Sequence, residues 1–256
     1  MRSRTISAAE KTAFRPLPPP PLKRDISLFL DLDGTLVDLI DRPDDVRADA
    51  GLRDLLTTVE GRLEGRLAIV SGRSLAQLDR ILGPVARSLA LSGSHGCEYR
   101  LDGGVEQPPR PAALDLATEE MRRFAEQCDG VLLEEKTFGV GLHYRLKPEV
   151  EADAHVLAGE LAARYDLFLQ QGKMMVELRP HGHDKGVAIR HLMTTLPLST
   201  APPLFAGDDV TDEKGFEAVA AMGGHGILVG PARHSAAGFR LDDPRAVRNW
   251  LKELIL

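Results

Sequence analysis

Short apolar runs alternate with stretches of helical periodicity along most of this chain, and this alternation constrains the fold more than any other feature. Each run ends in polar or glycine-rich residues and is too continuously apolar for a half-exposed antiparallel strand. The pattern therefore predicts βα units and a parallel sheet covered on both faces. The predicted strands are Ile26–Leu30, Leu67–Val70, Ser88–Leu91, Leu204–Ala206 and Ile227–Val229.

Helices are expected between and after these strands. The last predicted helix has a clear start signal, because Asp243 is a good N-cap residue and Pro244 suits the first helical position. The predicted helices lie near Ala48–Glu60, Leu75–Leu82, Lys185–Thr195, Asp212–Ala221 and Pro244–Ile255.

The segment from residue 107 to residue 180 departs from this rhythm. Its order of helices and strands is αββαββ, which is typical of a small α+β module with an antiparallel sheet. The predicted elements are helices Ala112–Gln127 and Glu149–Tyr165 and strands Val131–Lys136, Gly139–Arg145, Phe168–Gln171 and Met174–Arg179. We therefore predict an α/β protein with a Rossmann-like parallel-sheet core, residues 25–106 and 181–256, interrupted by an α+β cap domain, residues 107–180.

Composition limits the partners and the cellular compartment. Residues 1–24 are polar and then proline-rich, which predicts a disordered arm. The net charge is −6 and the basic residues are scattered, so a nucleic acid is not an expected partner. No run approaches the ~18 apolar residues of a membrane span, so a membrane is not expected either. Two cysteines, Cys97 and Cys128, do not suggest a disulfide framework, and no secretory signal is evident. We expect a cytoplasmic monomer.

The strongest local signal is the sequence Asp31-Leu32-Asp33-Gly34, directly after the first predicted strand. Ligands of parallel α/β sheets bind beyond the carboxyl ends of the strands. The alternation of a strand would send Asp31 and Asp33 to the same side, where two carboxylates repel each other unless a cation is bound. A solvated Asp-Gly turn is the alternative interpretation.

Three further groups lie near the ends of predicted core elements. Ser71-Gly72-Arg73 follows a strand, where a hydroxyl and backbone N–H groups suit a phosphate oxygen, although Ser71 could instead be a helix N-cap. Lys185 begins a helix and could offset the repulsion between a phosphoryl group and a carboxylate, although a solitary lysine is usually a surface residue.

The third group is an acidic cluster that starts at the end of another strand. Asp208, Asp209, Asp212 and Glu213 place four acids within six residues, which could form half of a site for a hard cation. Asp212 and Glu213 could instead be an acidic first helical turn, but this explanation fits Asp208 poorly.

In this order along the chain, the four groups resemble the motifs of the haloacid dehalogenase superfamily of aspartate-nucleophile phosphatases, from about Ile26 onwards. The resemblance implies that Asp31 attacks phosphorus and that Asp33 acts as general acid and base. It also implies an Mg²⁺ held by Asp31, Asp33 and Asp208. Ser71, Gly72, Arg73 and Lys185 would bind the phosphate, Asp212 would orient Lys185, and Asp209 would be a supporting acid near the metal.

Several further motifs are similar to those of the trehalose-6-phosphate phosphatase family. They include Gly93-Ser94-His95-Gly96-Cys97-Glu98, Leu142-His143-Tyr144-Arg145 and the stretch from Gly172 to Glu177. The resemblance implies a sugar phosphate substrate that is bound by four residues of the predicted cap: Glu134, Lys136, Lys173 and Glu177. Each of them could also be an ordinary exposed strand residue.

Other functions share part of this evidence. A phosphatase for sucrose phosphate or mannosyl-3-phosphoglycerate, or a phosphotransferase, would have the same four core motifs. A non-catalytic sugar-phosphate sensor would be free to lose Asp31 or Asp33, and both are present. Activity on folded proteins is disfavoured because a capped site would exclude them.

Overall fold

The computed structural model describes residues 17–40, 42, 45–102, 104–172 and 174–254. The strands in chain order are β1 Ser27–Leu30, β2 Leu67–Val70, β3 Ala90–Gly93, β4 Glu98–Leu101, β5 Gly104–Glu106, β6 Leu132–Lys136, β7 Gly139–His143, β8 Phe168–Gly172, β9 Met175–Arg179, β10 Pro203–Gly207, β11 His225–Val229 and β12 Phe239–Leu241.

The helices are α1 Ala50–Arg62, α2 Leu75–Leu82, α3 Ala112–Gln127, α4 Glu151–Tyr165, α5 Lys185–Leu192, α6 Glu213–Ala221 and α7 Pro244–Lys252. As predicted, α7 begins at Pro244, and the Asp243 side chain accepts a hydrogen bond from the Ala246 amide. None of the helices among the described residues has both the length and the apolar character needed to span a membrane.

The larger sheet has eight strands in the order β12-β11-β10-β1-β2-β3-β4-β5. Pairing is parallel from β12 to β3 and antiparallel from β3 to β5. In the central strand β1, Leu28 and Leu30 belong to one hydrophobic cluster and Phe29 to another on the opposite face. Helices therefore cover both faces, which is why the central strands read as continuous apolar runs, and the predicted α/β core is confirmed.

The edge of this sheet differs from the prediction. The third strand begins at Ala90 rather than Ser88, because Ser88 caps a 3-10 helix that spans Gly83–Arg87. Strands β4, β5 and β12 were not predicted. Their residues are mostly half-buried or exposed, so these short edge strands lack the apolar runs that mark the central ones.

Strands β6 to β9 form a separate antiparallel sheet in the order β6-β7-β9-β8. Its predicted strands and both predicted helices are present. One face packs against α3 and α4 around buried residues such as Val140, Leu142, Val176 and Leu178. The alternate residues of each strand point away from these helices, towards the carboxyl edge of the larger sheet. We call residues 107–180 the insert.

The beginning of the described chain packs against the core. The Arg240 amide donates to the Leu17 carbonyl, and the Trp250 indole donates to the Pro20 carbonyl, both at 2.9 Å. Leu22 is buried within the main hydrophobic cluster. The predicted disorder of residues 1–24 is therefore wrong for the part from Leu17 to Leu22, because its two leucines and its proline carbonyl find partners on β12 and α7. Residues 1–16 lie outside the described residues.

We expect Leu22→Ala to lower the free energy of unfolding by about 2 kcal/mol, since it removes buried methyl groups from the core. Leu17→Ala is the matched control, because Leu17 is 67% exposed, and it should change stability by less than ~0.5 kcal/mol. Urea unfolding of both variants measures the difference. A loss in Leu22→Ala as small as that expected for the control would show that the Leu22 side chain contributes little to the core.

Candidate active site

The candidate active site lies at the carboxyl edge of the larger sheet, where several core elements bring polar side chains together. Asp31 follows β1, Ser71 follows β2, and Asp208 follows β10. Lys185 is the first residue of α5, and its predecessor Asp184 caps that helix by accepting from the Val187 amide. The sequence predictions for these four side chains therefore converge on one place in the fold.

Lys185 is the centre of a buried ion-paired group. Its ammonium donates to Asp31 Oδ1 at 2.7 Å and to Asp212 Oδ1 at 2.6 Å. All three residues are at most 3% exposed. Both carboxylates raise the pKa of Lys185 above its usual value, although burial alone would lower it. The lysine is thus a fixed positive charge beside Asp31, and the interpretation of Lys185 as a surface residue does not hold.

Asp208 completes an acidic cluster. One carboxylate oxygen from each of Asp31, Asp208 and Asp212 lies within 4.8 Å of the others. Close approach of the backbone depends on Gly34, which has φ +77°, because a Cβ there would lie 2.1 Å from Asp208 Oδ2. The glycine after the Asp-x-Asp motif therefore makes room for the carboxylate that arrives from β10.

Burial and mutual repulsion raise the pKa of two of these acids. The pKa of Asp31 is raised well above its usual value by burial and by Asp212 and Asp208, against the opposing charge of Lys185. The pKa of Asp208 is raised to about 7 by burial and then by Asp212. Three carboxylates around one lysine leave an excess of negative charge, which a cation would offset.

The donor set fits a magnesium ion. Mg²⁺ prefers oxygen ligands and is usually held by one or two carboxylates together with water and phosphate oxygens. Asp31 and Asp208 supply carboxylate oxygens within a short distance of one another. The third member of the cluster, Asp212, is fully buried and committed to Lys185 and to the Asp209 amide, so it acts as a support for the lysine.

The loop after β2 is built around Ser71. Its hydroxyl accepts from the Arg73 amide at 3.1 Å, and its own amide donates to the Ser92 carbonyl at 2.9 Å. The N-cap of α2 is Ser74, which forms a capping box with Gln77. Ser71 is therefore not the helix cap. Its buried hydroxyl lies at the end of β2, in the same sheet as the strands that carry the acidic cluster.

Asp33 and Arg73 form a bidentate ion pair across the site. Arg73 Nε and Nη2 each lie 2.8 Å from one oxygen of the Asp33 carboxylate. Arg73 Nη1 is also 3.8 Å from Glu134 of the insert. Arg73 thus pairs with the predicted acid–base residue, whereas the sequence predicted that it binds the phosphate.

The face of the insert that points towards the core carries a second charged group. Lys136 donates to Glu177 Oε2 at 2.6 Å and lies 3.8 Å from Glu134 Oε2. Glu134 also accepts from Gln77 of α2 and contacts His143 Nε2, both at 2.8 Å. Burial raises the pKa of Glu134, but Lys136 and His143 outweigh it and hold that pKa well below its usual range. Glu134 therefore bridges insert and core as an ionised carboxylate.

Two predicted site residues stand apart from these groups. The Asp209 side chain is exposed and caps a 3-10 turn by accepting from the Val210 amide. Lys173 lies outside the described residues. Sequence reasoning assigned no role to Gln77, His95 or His143, which the structure places beside the predicted residues. His95 and His143 belong to motifs that carried the family resemblance, which is the one signal that could have identified them.

The core sheet defines the fold of the protein, which is that of haloacid dehalogenase-type phosphatases. A solved phosphatase of the haloalkanoate (HAD) enzyme superfamily from Bacteroides thetaiotaomicron shares the fold, with a TM-score of 0.58 at 16% identity over 90% of this chain and 95% of that one.

The chain belongs to the trehalose-phosphatase family, whose family profile matches residues 29–245. It is 35% identical to the trehalose-6-phosphate phosphatase of Escherichia coli (strain K12) over 91% of this chain and 88% of the relative. A solved trehalose-6-phosphate phosphatase related protein superposes with a TM-score of 0.77 at 30% identity, covering 89% of this chain and 97% of the other. By class, the chain is a phosphoric monoester hydrolase.

The raised pKa of Asp208 predicts a pH-dependent cost to stability. The folded protein holds a proton on Asp208 up to about pH 7, while the unfolded chain releases it near 3.8. Stability of the metal-free protein should therefore fall as pH rises between these values. We expect Asp208→Asn to be more stable than the wild type by about 2 kcal/mol at pH 8 and equal to it at pH 4.

Unfolding by urea at both pH values, with and without Mg²⁺, measures this effect. Mg²⁺ should stabilise the wild type and not Asp208→Asn. Asp209→Asn is the matched control, because its side chain is exposed, and it should behave as the wild type does. Equal stabilisation of all three proteins by Mg²⁺ would place the metal elsewhere.

Proposed function

We propose that this chain hydrolyses trehalose 6-phosphate to trehalose and inorganic phosphate, with Mg²⁺, through an aspartyl phosphate (an acyl phosphate) on Asp31. The observation that carries the proposal is the Lys185 ammonium held at 2.7 Å from Asp31 Oδ1, beside the acidic cluster and beneath the charged face of the insert. The names of the relatives support trehalose 6-phosphate over sucrose phosphate or mannosyl-3-phosphoglycerate.

In the first step, a carboxylate oxygen of Asp31 attacks phosphorus in line with the sugar oxygen. The new bond joins the Asp31 oxygen to phosphorus, and the bond between phosphorus and the sugar oxygen breaks. Asp31 Oδ2 has one long contact, 3.4 Å from the Thr35 hydroxyl, while Oδ1 is committed to Lys185. The leaving sugar oxygen takes its proton from Asp33, so trehalose departs as a neutral alcohol.

In the second step, water attacks the phosphorus of the aspartyl phosphate. The Asp33 carboxylate accepts a proton from that water, the bond between phosphorus and the Asp31 oxygen breaks, and inorganic phosphate leaves. The bidentate pair with Arg73 holds the Asp33 carboxylate in a fixed position for this step. For the first step that pair must loosen, since Asp33 then has to carry a proton.

The phosphate is held by charge and by hydrogen bond donors of the chain. Lys185 offsets the repulsion between the phosphate and the Asp31 carboxylate, and the Ser71 hydroxyl with the backbone of Gly72 donates to phosphate oxygens. Asp31 and Asp208, with the Asp33 backbone carbonyl, would hold Mg²⁺. When bound, Mg²⁺ supplies a positive charge that stabilises the charge on the transferring phosphoryl group.

The insert serves as a cap that recognises the sugar. Glu134, Lys136 and Glu177 are mostly buried and face the core, and carboxylates and ammonium groups are suitable partners for sugar hydroxyls. Lys136 donates a hydrogen bond to Glu177 at 2.6 Å. A sugar hydroxyl that enters between them replaces this one charged hydrogen bond with two, one to each residue. Lys173 stays a predicted fourth member. A cap that closes over the site also excludes water and folded proteins.

Two remaining statements rest on the sequence alone. Residence in the cytoplasm and a monomeric state stay predictions. A non-catalytic sugar-phosphate sensor is the competing class of function. The cluster of Asp31, Asp208 and Lys185, with Asp33 two residues after Asp31, argues against it, because a sensor needs no nucleophile.

Asp31→Asn should reduce phosphate release from trehalose 6-phosphate to the background of the assay, since an amide is a poor nucleophile and carries no charge for a metal. The fold should persist, because burial already disfavours the charge on Asp31. Asp38→Asn, an exposed position in the same loop, is the matched control and should keep full activity. Turnover by folded Asp31→Asn, with its thermal unfolding midpoint preserved, would overturn the assignment of the nucleophile.

Phosphate release from a panel of sugar phosphates tests the substrate. The proposal expects the highest kcat/KM for trehalose 6-phosphate, with sucrose phosphate, mannosyl-3-phosphoglycerate and glucose 6-phosphate well below it. A chelator should stop the reaction, and Mg²⁺ should restore it better than Ca²⁺, which favours looser and higher coordination. Preference for another sugar phosphate would refute the substrate and leave the phosphatase chemistry standing.

Glu177→Gln tests the role of the insert. We expect it to lower kcat/KM for trehalose 6-phosphate, because the amide makes a weaker hydrogen bond to a hydroxyl. The loss corresponds to about 1.5–3 kcal/mol of transition-state stabilisation. Hydrolysis of a small aryl phosphate, which has no sugar, should change much less. Glu135→Gln is the matched control, because Glu135 lies on the opposite face of the same sheet and pairs with Arg122. Equal losses on both substrates would move Glu177 out of the sugar site.

A further inference from the structure

His95 occupies an unusual backbone position between the core and the insert. Ser94, His95 and Gly96 have φ values of 47°, 54° and 97°, so two residues other than glycine adopt the left-handed region in succession. This conformation costs free energy and persists only where the surroundings impose it. The Ser94 amide donates to the Arg73 carbonyl at 2.8 Å and the His95 amide to the Ser71 carbonyl at 3.0 Å. The turn is therefore tied to the loop that follows β2.

The His95 ring lies directly over Gly72. A Cβ at Gly72 would be 2.5 Å from Nε2 of the imidazole, so the glycine leaves the space that the ring fills. His95 is 6% exposed. The ring is thus held against the proposed phosphate loop, and its Nε2 atom, which is the ring atom nearest to a Cβ at Gly72, also lies 3.5 Å from Gln170 of the insert.

The contacts that the His95 imidazole makes with the insert are long. Its Nε2 atom lies 3.5 Å from Gln170 Nε2 and 4.0 Å from Glu177 Oε2, both on the insert. Buried polar atoms normally have a partner at a shorter distance, and one that lacks it calls for an explanation. Burial, followed by the positive charges of Lys136, Arg179 and Lys185, lowers the pKa of His95 well below its usual value. The ring is therefore neutral and can hold its proton on either nitrogen.

The distance between His95 and Glu177 suits a hydroxyl group. Two atoms 4.0 Å apart can both lie about 2.8 Å from a single oxygen placed between them. A hydroxyl in that position accepts a hydrogen bond from the Nε2–H tautomer of His95 and donates its own to the Glu177 carboxylate. The neutral imidazole and the carboxylate then act as a matched donor and acceptor.

We infer that His95 is a substrate-binding residue contributed by the core, whose Nε2 atom hydrogen bonds to a sugar hydroxyl that also contacts Glu177. Because the turn that carries His95 is bonded to the loop of Ser71 and Gly72, this contact fixes the sugar relative to the phosphate. The inference rests on the proposed function, since it requires a sugar phosphate as substrate.

Two variants of His95 separate this role from a purely structural one. Asparagine tolerates the left-handed conformation but does not reach the position of Nε2, whereas the glutamine amide does reach it. We expect His95→Asn to lower kcat/KM for trehalose 6-phosphate roughly tenfold, as the loss of one hydrogen bond would, and to affect a small aryl phosphate much less. His95→Gln should recover most of the loss. His225→Asn, at an exposed position at the start of β11, is the control for the histidine change itself.

Kinetics on both substrates and thermal unfolding midpoints decide the outcome. Equal losses on the two substrates, no loss in His95→Asn, or no recovery in His95→Gln would each overturn the role of Nε2. Failure of the proposed function has a different signature, because the wild type would then prefer another sugar phosphate. The His95 variants would in that case be measured on the preferred sugar phosphate, where the same selective loss is required.

Discussion

The buried ammonium of Lys185 is the interaction on which the rest of the site depends. It joins three separate parts of the core, because Asp31 comes from the end of β1, Asp212 from the turn after β10, and Lys185 from the start of α5. Removing water from these charges costs free energy that only close pairing can offset. Loss of Lys185 would leave two carboxylates without a counter-charge in an apolar interior, so the lysine fixes the three elements relative to one another before any substrate binds.

Glycines extend this constraint to the backbone. A Cβ at Gly207 would lie 2.3 Å from Asp212 Cγ, and one at Gly34 would lie 2.1 Å from Asp208 Oδ2. The carboxylates therefore approach as closely as the backbone allows. Burial of these acids, followed by the crowding of like charges, is unfavourable without a cation, and the raised pKa values of Asp31 and Asp208 express that cost. Such a site lowers the stability of the free protein and raises its affinity for a cation and an anion that bind together.

The sequence predicted the parts of the fold that burial controls. The continuous apolar runs of β1, β2, β10 and β11 are visible because helices cover both faces of these strands. The antiparallel hairpin of β4 and β5 has no such signature, and the packing of Leu22 depends on a cluster that forms only in three dimensions. Asp31, Ser71, Lys185 and Asp208 were predictable because each lies at the start or end of a recognisable element.

Two of the contacts that sequence reasoning missed join elements that lie far apart in the chain. Arg73 and Asp33 are 40 residues apart, and Gln77 and Glu134 are 57 apart. A motif shows which residues are present but not which partner each one chooses. Arg73 was expected to bind the phosphate. The Asp33 carboxylate lies within its reach, and an arginine forms a bidentate ion pair with a carboxylate through two parallel N–H donors.

These long-range contacts form one chain of interactions from the insert to the proposed chemistry. Glu134 of the insert accepts from Gln77 of α2 and lies 3.8 Å from Arg73, which in turn holds Asp33. Any shift of the insert that brings Glu134 closer to Arg73 competes with Asp33 for the same guanidinium. Because Asp33 serves both proposed steps, the position of the insert and the ion pair that holds Asp33 are physically linked. Closure over a sugar would thus act on the acid–base residue as well as on the substrate.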